Sequence, residues 1–139
     1  EDKSVRAEWP NNTKILLVED NQVNQLVAEG ILEEVGLKCD IAFNGIEAID
    51  KLKKLAPTEC YDLILMDLKL PGINGFDTTK IIRALNNNNA NIPILALTSS
   101  TKDEVQERMN EVGMTDYVGK PFKSEKLLQK IHSYIFEIK

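Results

Sequence analysis

The middle of the sequence reads Leu63-Ile64-Leu65-Met66-Asp67-Leu68-Lys69-Leu70-Pro71-Gly72. Four consecutive apolar residues predict a strand that is buried on both faces, and Pro71-Gly72 predicts a turn soon after it. Asp67 ends the apolar run, and a carboxylate placed there is costly unless it is neutralised or used. The stretch therefore predicts a functional carboxylate at the carboxyl end of a buried strand.

Two other apolar runs end in polar residues in the same way. Residues 15–18 are followed by Glu19 and Asp20, and residues 92–97 are followed by Thr98. Two carboxylates about 4 Å apart repel by roughly 4 kcal/mol at an effective dielectric of 20. A hard divalent cation with oxygen ligands relieves such repulsion. The three strand ends therefore predict one shared site and a bound magnesium ion.

The pattern along the chain alternates between strands and helices. Strands are predicted over residues 14–18, 38–42, 61–66, 92–97 and 115–118, with helical periodicity in the gaps. Five βα units in succession predict an α/β fold, a doubly wound parallel sheet with right-handed crossovers. The functional crevice of such a sheet lies at the carboxyl ends of its strands. Lys120, which follows the fifth strand, is expected there with the acidic residues.

Apolar residues at helical spacing locate the helices. In the first helix Val23, Leu26, Val27 and Ile31 share one face, and Gly36 is predicted as its C-terminal cap. Gly113 is predicted to end the fourth helix in the same way. Residues 86–89 and 91 are all asparagine, which predicts a polar surface turn.

Composition and charge narrow the class of protein. The 139 residues suit one domain; residues 1–13 are predicted to be a tail or an interdomain linker, and 14–139 the folded unit. With a net charge of −5 and no basic stripe, no nucleic-acid partner is expected. No apolar stretch is long enough to cross a membrane and no signal peptide opens the chain, so a cytoplasmic location is expected.

The polar residues at the strand ends are sufficient for phosphoryl transfer. An aspartate can act as a nucleophile and carry a phosphoryl group. Magnesium would hold one phosphoryl oxygen, the Lys120 ammonium a second and the Thr98 hydroxyl a third. No separate acid and base pair and no pocket for a small organic substrate are indicated.

Four motifs in the sequence resemble those of the receiver (response-regulator) domains of two-component phosphorelay signalling. They are Val18-Glu19-Asp20-Asn21, Leu65-Met66-Asp67-Leu68-Lys69-Leu70-Pro71-Gly72-Ile73-Asn74-Gly75, Ala96-Leu97-Thr98-Ser99 and Asp116-Tyr117-Val118-Gly119-Lys120-Pro121-Phe122. The resemblance covers residues 14 to 138. It implies a flavodoxin-like (βα)5 fold with the strand order 2-1-3-4-5.

The resemblance also implies a role for each site residue. Asp67 would be the phosphoacceptor, with Lys120 and Thr98 contacting the phosphoryl group. Tyr117 would be the aromatic switch residue that turns inward when Thr98 moves. The Mg²⁺ ligands would be Glu19, Asp20, Asp67 and the backbone carbonyl of Lys69. Such a domain would catalyse its own phosphorylation and slow dephosphorylation.

Two further structural expectations follow from the resemblance. The Lys120–Pro121 peptide bond would be cis, which proline permits. Cys39 on the second strand and Cys60 near the third would have the first strand between them. Two strand spacings are about 9.6 Å, beyond the reach of a disulfide, so two free thiols are expected.

The sequence departs mildly from the common receiver pattern. Asn74 stands where an aspartate is frequent, and Ser99 stands where alanine or glycine is usual. Lys69 and Ser100 occupy positions that tune hydrolysis in the family. The lifetime of the phosphoryl group therefore stays open.

The run of residues 19–25 is most similar to receivers attached to hybrid sensor histidine kinases. The partners implied are a histidine kinase or phosphohistidine domain as donor and a histidine phosphotransfer domain as acceptor. The signal would pass through the face built from the fourth helix, fifth strand and fifth helix. The alternative is a stand-alone single-domain response regulator. In a hybrid kinase, the domain would be the cytoplasmic part of a membrane-bound sensor.

Two other classes of protein fit the sequence less well. A haloacid-dehalogenase-like phosphohydrolase needs a second aspartate two residues after its nucleophile, and that position holds Lys69. A flavin-binding module would not open its phosphate loop with Glu19 and Asp20, which would repel the ligand. His132 is the only histidine, and it is expected to be a surface or partly buried residue of the last helix rather than a phosphodonor.

Overall fold

The strands form one five-stranded parallel sheet. The structure is a computed structural model that describes residues 9–10, 12–56, 58–86, 88–100 and 102–136. The strands are β1 (Ile15–Val18), β2 (Cys39–Ala42), β3 (Leu63–Asp67), β4 (Ile94–Thr98) and β5 (Asp116–Gly119). Their order in the sheet is β2-β1-β3-β4-β5, and every neighbouring pair is parallel. The predicted fold class and strand order are confirmed.

The helices alternate with the strands as predicted. They are α1 (Gln22–Glu34), α2 (Gly45–Lys53), α3 (Gly75–Arg83), α4 (Asp103–Val112) and α5 (Ser124–Phe136). The predicted polar turn contains a short 3-10 helix, Asn88–Asn91, while residue 87 lies outside the described part. Gly36 and Gly113 have φ angles of 85° and 92°, the left-handed conformation that glycine adopts without strain. Gly113 is the C-cap of α4, as predicted, whereas the C-cap of α1 is Val35 and Gly36 directly follows it.

All five strands begin one or two residues later than predicted, and β3, β4 and β5 also end one residue later. β3 and β4 include Asp67 and Thr98, which pair in register with Leu97 and Gly119. The predicted strands stopped one residue earlier because their bounds followed apolar side chains. Backbone hydrogen bonds do not depend on side-chain polarity, so the ladder continues through both polar residues. As a result, the two side chains are held by the sheet itself.

The sheet has a separate apolar core on each face. One core joins alternate residues of the central strands, including Leu16, Ile64 and Ala96, to α2, α3 and α4. The other joins Leu17 and Leu65 to α1 and α5. Since side chains alternate across a strand, the central strands are buried on both sides. Strands β2 and β5 lie at the edges and are only partly buried.

The first helix turns its apolar face outward, which corrects the simplest interpretation of its periodicity. Val23 and Leu26 are 67% and 69% exposed. The buried positions are instead Gln25, Ala28 and Leu32. Small and polar residues suffice here because Gln25 donates a hydrogen bond to the Glu19 carbonyl, 2.7 Å away. The helix is therefore positioned by a buried amide as well as by apolar packing.

Two side chains near the chain ends pack on α5. Trp9, from the predicted tail, lies with its ring centroid 5.7 Å from those of His132 and Phe136. His132 is partly buried, as expected for a residue of the last helix. Most of the predicted tail, residues 1–8 and 11, lies outside the described residues, as does Ile138. No helix among the described residues is long and apolar enough to cross a membrane.

The two cysteines are free, as predicted. Cys39 pairs in register with Ile15 of β1, and Ile15 pairs on its other side with Leu63 of β3. Burial, helped by the nearby carboxylates of Glu29 and Asp40, raises the pKa of the Cys39 thiol to about 12. Cys60 is exposed.

We predict that only one thiol of the native protein reacts rapidly with an alkylating reagent at pH 8. The thiolate is the nucleophile, and a pKa of about 12 leaves Cys39 protonated until the pH rises far above 8. Mass spectrometry after a short iodoacetamide pulse should find Cys60 modified and Cys39 intact. Unfolding in urea should make both react. Equal modification of both residues in the native protein would contradict the prediction.

Candidate phosphoacceptor and metal site

Three carboxylates meet at the carboxyl edge of the sheet. Glu19 and Asp20 follow β1, Asp67 ends β3, and oxygen atoms of all three lie within 4.8 Å of one another. Glu19 and Asp67 are buried, whereas Asp20 is exposed. The neighbouring order of β1 and β3 brings these residues together although 47 positions separate Asp20 from Asp67.

Lys120 provides positive charge for this cluster. Its Nζ lies 3.0 Å from Asp67 Oδ1 and 3.4 Å from Glu19 Oε1. The Lys120 N–H also donates a hydrogen bond to the Thr98 carbonyl at 2.8 Å. The Lys120–Pro121 bond is cis, as the resemblance implied. One ammonium therefore faces three carboxylates, so the cluster retains an excess of negative charge.

The charged form of the Glu19 carboxyl group is disfavoured by its surroundings. Burial raises the pKa of its carboxyl group, and the neighbouring Asp67 charge raises it further. The Asn21 N–H and the Lys120 ammonium lower it only in part. Its Oε1 atom is buried without a hydrogen-bond partner, because Lys120 approaches it at ion-pair rather than hydrogen-bond geometry. An oxygen left open beside two other carboxylates fits a cation ligand.

Backbone contacts fix the loop that carries Asp67. The Lys69 N–H donates to Asp67 Oδ1 at 3.2 Å, and the Gly75 N–H donates to the Leu68 carbonyl at 3.0 Å. Gly75 packs so closely on Asp67 that a Cβ atom there would collide with its carbonyl oxygen. The glycine is therefore required by the close approach of α3 to the end of β3.

Three asparagines begin the helices that follow β1, β2 and β3. The side chains of Asn21, Asn44 and Asn74 each accept a hydrogen bond from a backbone N–H three residues later. Asparagine is among the preferred residues at this position. Asn74 departs from the common receiver pattern, and in the structure it is the N-cap of α3. The signal was visible as the repeated asparagine before each helical pattern.

Thr98 has its hydroxyl engaged away from the carboxylates. Its Oγ1 donates to the Ser100 carbonyl at 3.1 Å and accepts from the Ser100 N–H at 3.0 Å. Thr98 is buried, and Ser100 is partly buried. A phosphoryl group on Asp67 would have to draw the hydroxyl out of this turn before Thr98 could bind it.

The predicted switch residue Tyr117 is partly buried and packs against the α2–α4 core. Lys130 Nζ lies 5.5 Å from its ring centroid and 2.9 Å from the Asp116 carboxylate. Although burial alone would raise the pKa of Asp116, hydrogen bonds from Lys130 and Tyr134 lower it below its ordinary value. A charged, hydrogen-bonded Asp116 thus ties β5 to α5 beside Tyr117.

A cleft of about 290 Å³ opens at Asp67. Its floor contains Asp67, Thr98 and Lys120, so the structure brings these predicted site residues together. Lys69 and Arg108 also line it, and Arg108 was not among the residues singled out from the sequence. Nothing in the periodicity of α4 distinguishes Arg108 from a solvated charge, because its position depends on how α3 and α4 pack.

Comparisons with known proteins agree with this fold and site. Residues 15–132 match the family described as the response regulator receiver domain. The chain is 38% identical over 133 residues to hybrid signal transduction histidine kinase B of Dictyostelium discoideum. The aligned region is 88% of this chain and 7% of that protein. A second relative, sensor protein GacS of Pseudomonas syringae, is 32% identical over 120 residues, 85% of this chain and 13% of its own length.

Solved structures give the same result. A receiver domain of a Pseudomonas aeruginosa sensor histidine kinase is 38% identical, with a TM-score of 0.79 over 88% of this chain and 97% of that one. That structure has a magnesium ion coordinated in its active site cleft. The Vibrio cholerae chemotaxis protein CheY4 has a TM-score of 0.76 at 31% identity, over 88% of this chain and 98% of its own.

The chain belongs to the response regulator receiver domain family and is a receiver domain of a two-component system. It spans only a small fraction of the curated relatives it matches, between 7% and 13% for the two named above. Those relatives include hybrid histidine kinases.

We predict that Glu19→Gln stabilises the metal-free protein. Neutralising a buried carboxylate beside Asp67 removes repulsion, while Lys120 keeps Asp67 as its partner. The free energy of unfolding should rise by about 1 kcal/mol, a shift of roughly 3–4 °C in Tm. Thermal unfolding in EDTA measures it.

Glu107→Gln, which removes an exposed carboxylate of α4, is the matched control and should change Tm by less than about 1 °C. A lower Tm for Glu19→Gln than for the parent would show that its charge stabilises the fold.

Proposed function

We propose that this domain takes a phosphoryl group from a phosphohistidine onto Asp67 with Mg²⁺ bound at Glu19, Asp20, Asp67 and the Lys69 carbonyl. The observation that carries the proposal is the buried Asp67 carboxylate, 3.0 Å from the Lys120 ammonium and beside two other carboxylates. Magnesium bound there would supply positive charge against the phosphoryl oxygens. The open Glu19 Oε1 and the magnesium-bound relative support this cofactor.

The transfer is a displacement at phosphorus. An Asp67 carboxylate oxygen forms the new P–O bond while the P–N bond to the donor imidazole breaks. The bonding electron pair leaves with the imidazole nitrogen. The Lys120 ammonium, already at Asp67 Oδ1, would contact a phosphoryl oxygen. Thr98 would bind another oxygen once its hydroxyl leaves Ser100.

The movement of Thr98 would carry the signal to the face formed by α4, β5 and α5. Thr98 pairs in register with Gly119 of β5, and its carbonyl accepts the Lys120 N–H. Displacement of the Thr98 hydroxyl would leave space toward which Tyr117 can turn. Phosphorylation would thus shift a two-state equilibrium by binding one state better.

We expect acetyl phosphate with Mg²⁺ to label the parent protein on a single carboxylate. The adduct should be stable in acid and labile in base, and intact-mass measurement should detect it. Asp67→Asn removes the nucleophile and should abolish labelling, whereas Asp50→Asn, which alters an exposed carboxylate of α2, should not. An unlabelled parent, or equal labelling of Asp67→Asn, would refute the proposal.

Thr98→Val separates chemistry from switching in the same experiment. The variant keeps Asp67 and the side-chain shape, so it should still be labelled, within about tenfold of the parent rate. Amide NMR shifts of β5 and α5 that accompany labelling in the parent should be reduced in this variant. Labelling-dependent shifts as large as those of the parent would show that Thr98 does not transmit the signal.

The histidine-bearing partner would dock beside the site on exposed apolar side chains. Of the six large hydrophobic residues exposed in the described part of the chain, three lie on α1, Phe43 directly follows β2, and Ile46 lies in the first turn of α2. The two helices begin at the carboxyl ends of β1 and β2, the same edge of the sheet that carries Glu19 and Asp20. A donor whose histidine reaches Asp67 must cover this edge of the sheet. The partner would therefore be a histidine-bearing helical protein with an apolar surface around its histidine.

We predict that replacing Leu26 and Ile46 together by serine slows phosphoryl transfer from a phosphorylated histidine phosphotransfer domain at least tenfold. Loss of two exposed apolar contacts weakens docking without touching the carboxylates. Labelling by acetyl phosphate should stay within twofold of the parent. Ile81→Ser, at an exposed site on α3, is the matched control and should leave both rates unchanged. A loss confined to the control, or equal losses with both donors, would contradict the proposed surface.

A further inference from the structure

The cleft that contains Asp67 is also lined by residues of α3 and α4. Its apolar lining residues include Phe76 and Val105, which both pack in the core formed with α2, α3 and α4. Arg108 and Lys69 are exposed and lie at its outer rim. Two exposed cations other than Lys120 therefore line the same cleft as Asp67.

Arg108 is held at this rim by an aromatic side chain rather than by a carboxylate. Its guanidinium carbon lies 4.3 Å from the centroid of the Phe76 ring. Phe76 is 8% exposed and belongs to the α2–α4 core, so the ring is a fixed surface. A planar guanidinium that stacks on an aromatic face loses less freedom when it later binds an anion.

The N–H donors of the Arg108 guanidinium have no acceptor among the described residues. Within residues 9–136 as the structure describes them, no ion pair or hydrogen bond of Arg108 is formed. Glu104, one turn earlier on α4, is at a favourable spacing for an ion pair, yet no such pair forms within 4.0 Å. Arg83 offers a contrast, since its guanidinium donates to the carbonyls of Ala90, Ile92 and Gly113.

An incoming phosphodonor is an anion that must approach a cluster of three carboxylates. Lys120 offsets part of that charge, but its ammonium is already paired with Glu19 and Asp67. Arginine presents a fork of N–H donors that matches two phosphoryl oxygens at once. Positive charge at the mouth of a cleft also raises the local concentration of an anionic ligand.

We propose that Arg108 recognises the phosphoryl group of the donor at the cleft entrance, before transfer to Asp67. This inference rests on the proposed function and adds a specificity-determining residue to it. Arg108 acts on donor binding, while Asp67 and Lys120 act in the transfer step. A purely structural role, as a link between α3 and α4, is the competing explanation.

The test measures the rate of Asp67 labelling against acetyl phosphate concentration at fixed Mg²⁺. Arg108→Gln should raise the half-saturating donor concentration by about threefold to tenfold and leave the maximal rate within twofold. The increase should shrink at high salt, because screening already weakens the contribution of an exposed charge. Arg108→Lys keeps the charge and should recover part of the affinity.

Lys38→Gln is the matched control. Lys38 is exposed before β2, at the opposite edge of the sheet from the cleft, and its replacement changes the net charge from −5 to −6 as Arg108→Gln does. Its half-saturating concentration should stay within 1.5-fold of the parent. Thermal unfolding of each variant reports any structural role separately.

The outcomes separate this inference from the function on which it rests. A labelled parent in which Arg108→Gln and Lys38→Gln behave alike overturns the role of Arg108 alone. A fall in maximal rate together with a lower Tm, with the half-saturating concentration unchanged, also overturns it in favour of the structural link. A parent that is not labelled at all overturns the proposed function, and with it the inference.

Discussion

The shared pairing of Lys120 with Asp67 and Glu19 is the interaction on which the site depends. Two of the carboxylates in this cluster are buried, where an uncompensated charge is expensive. One ammonium at 3.0 Å and 3.4 Å offsets that cost only in part. The remaining negative charge is what makes the cluster suited to a divalent cation. The stability of the surrounding sheet offsets the part of the cost that Lys120 leaves.

That stability comes from a sheet covered on both faces. The three central strands are fully buried, and each contributes alternate side chains to two separate cores. Such a sheet fixes the positions of Asp67 and Thr98, the last residues of β3 and β4, through their pairing with neighbouring strands. The edge strands and α1 are less deeply buried, which leaves an apolar surface at one side of the carboxylate cluster. Rigidity and accessibility are therefore combined at the same edge.

The residues around the cleft divide into those already engaged and those still available. Thr98 is held by Ser100, and Asp116 is held by Lys130 and Tyr134. Under the proposed function, a phosphoryl group on Asp67 would replace the Thr98–Ser100 contact with a stronger, charge-assisted hydrogen bond. The Arg108 guanidinium lies over the Phe76 ring, and its N–H donors have no acceptor among the described residues. The first group suits a switch, and the second suits recognition.

The sequence by itself determined the fold class and the residues at the strand ends, because period, apolar runs and turn residues are local signals. Glu19, Asp67 and Lys120 could be named from their positions after strands, but only the order β2-β1-β3-β4-β5 makes them neighbours. The outward face of α1 could not be predicted, since periodicity identifies an apolar face without saying what covers it. The positions of Thr98 and Arg108 likewise depend on contacts between distant elements, which only the tertiary structure decides.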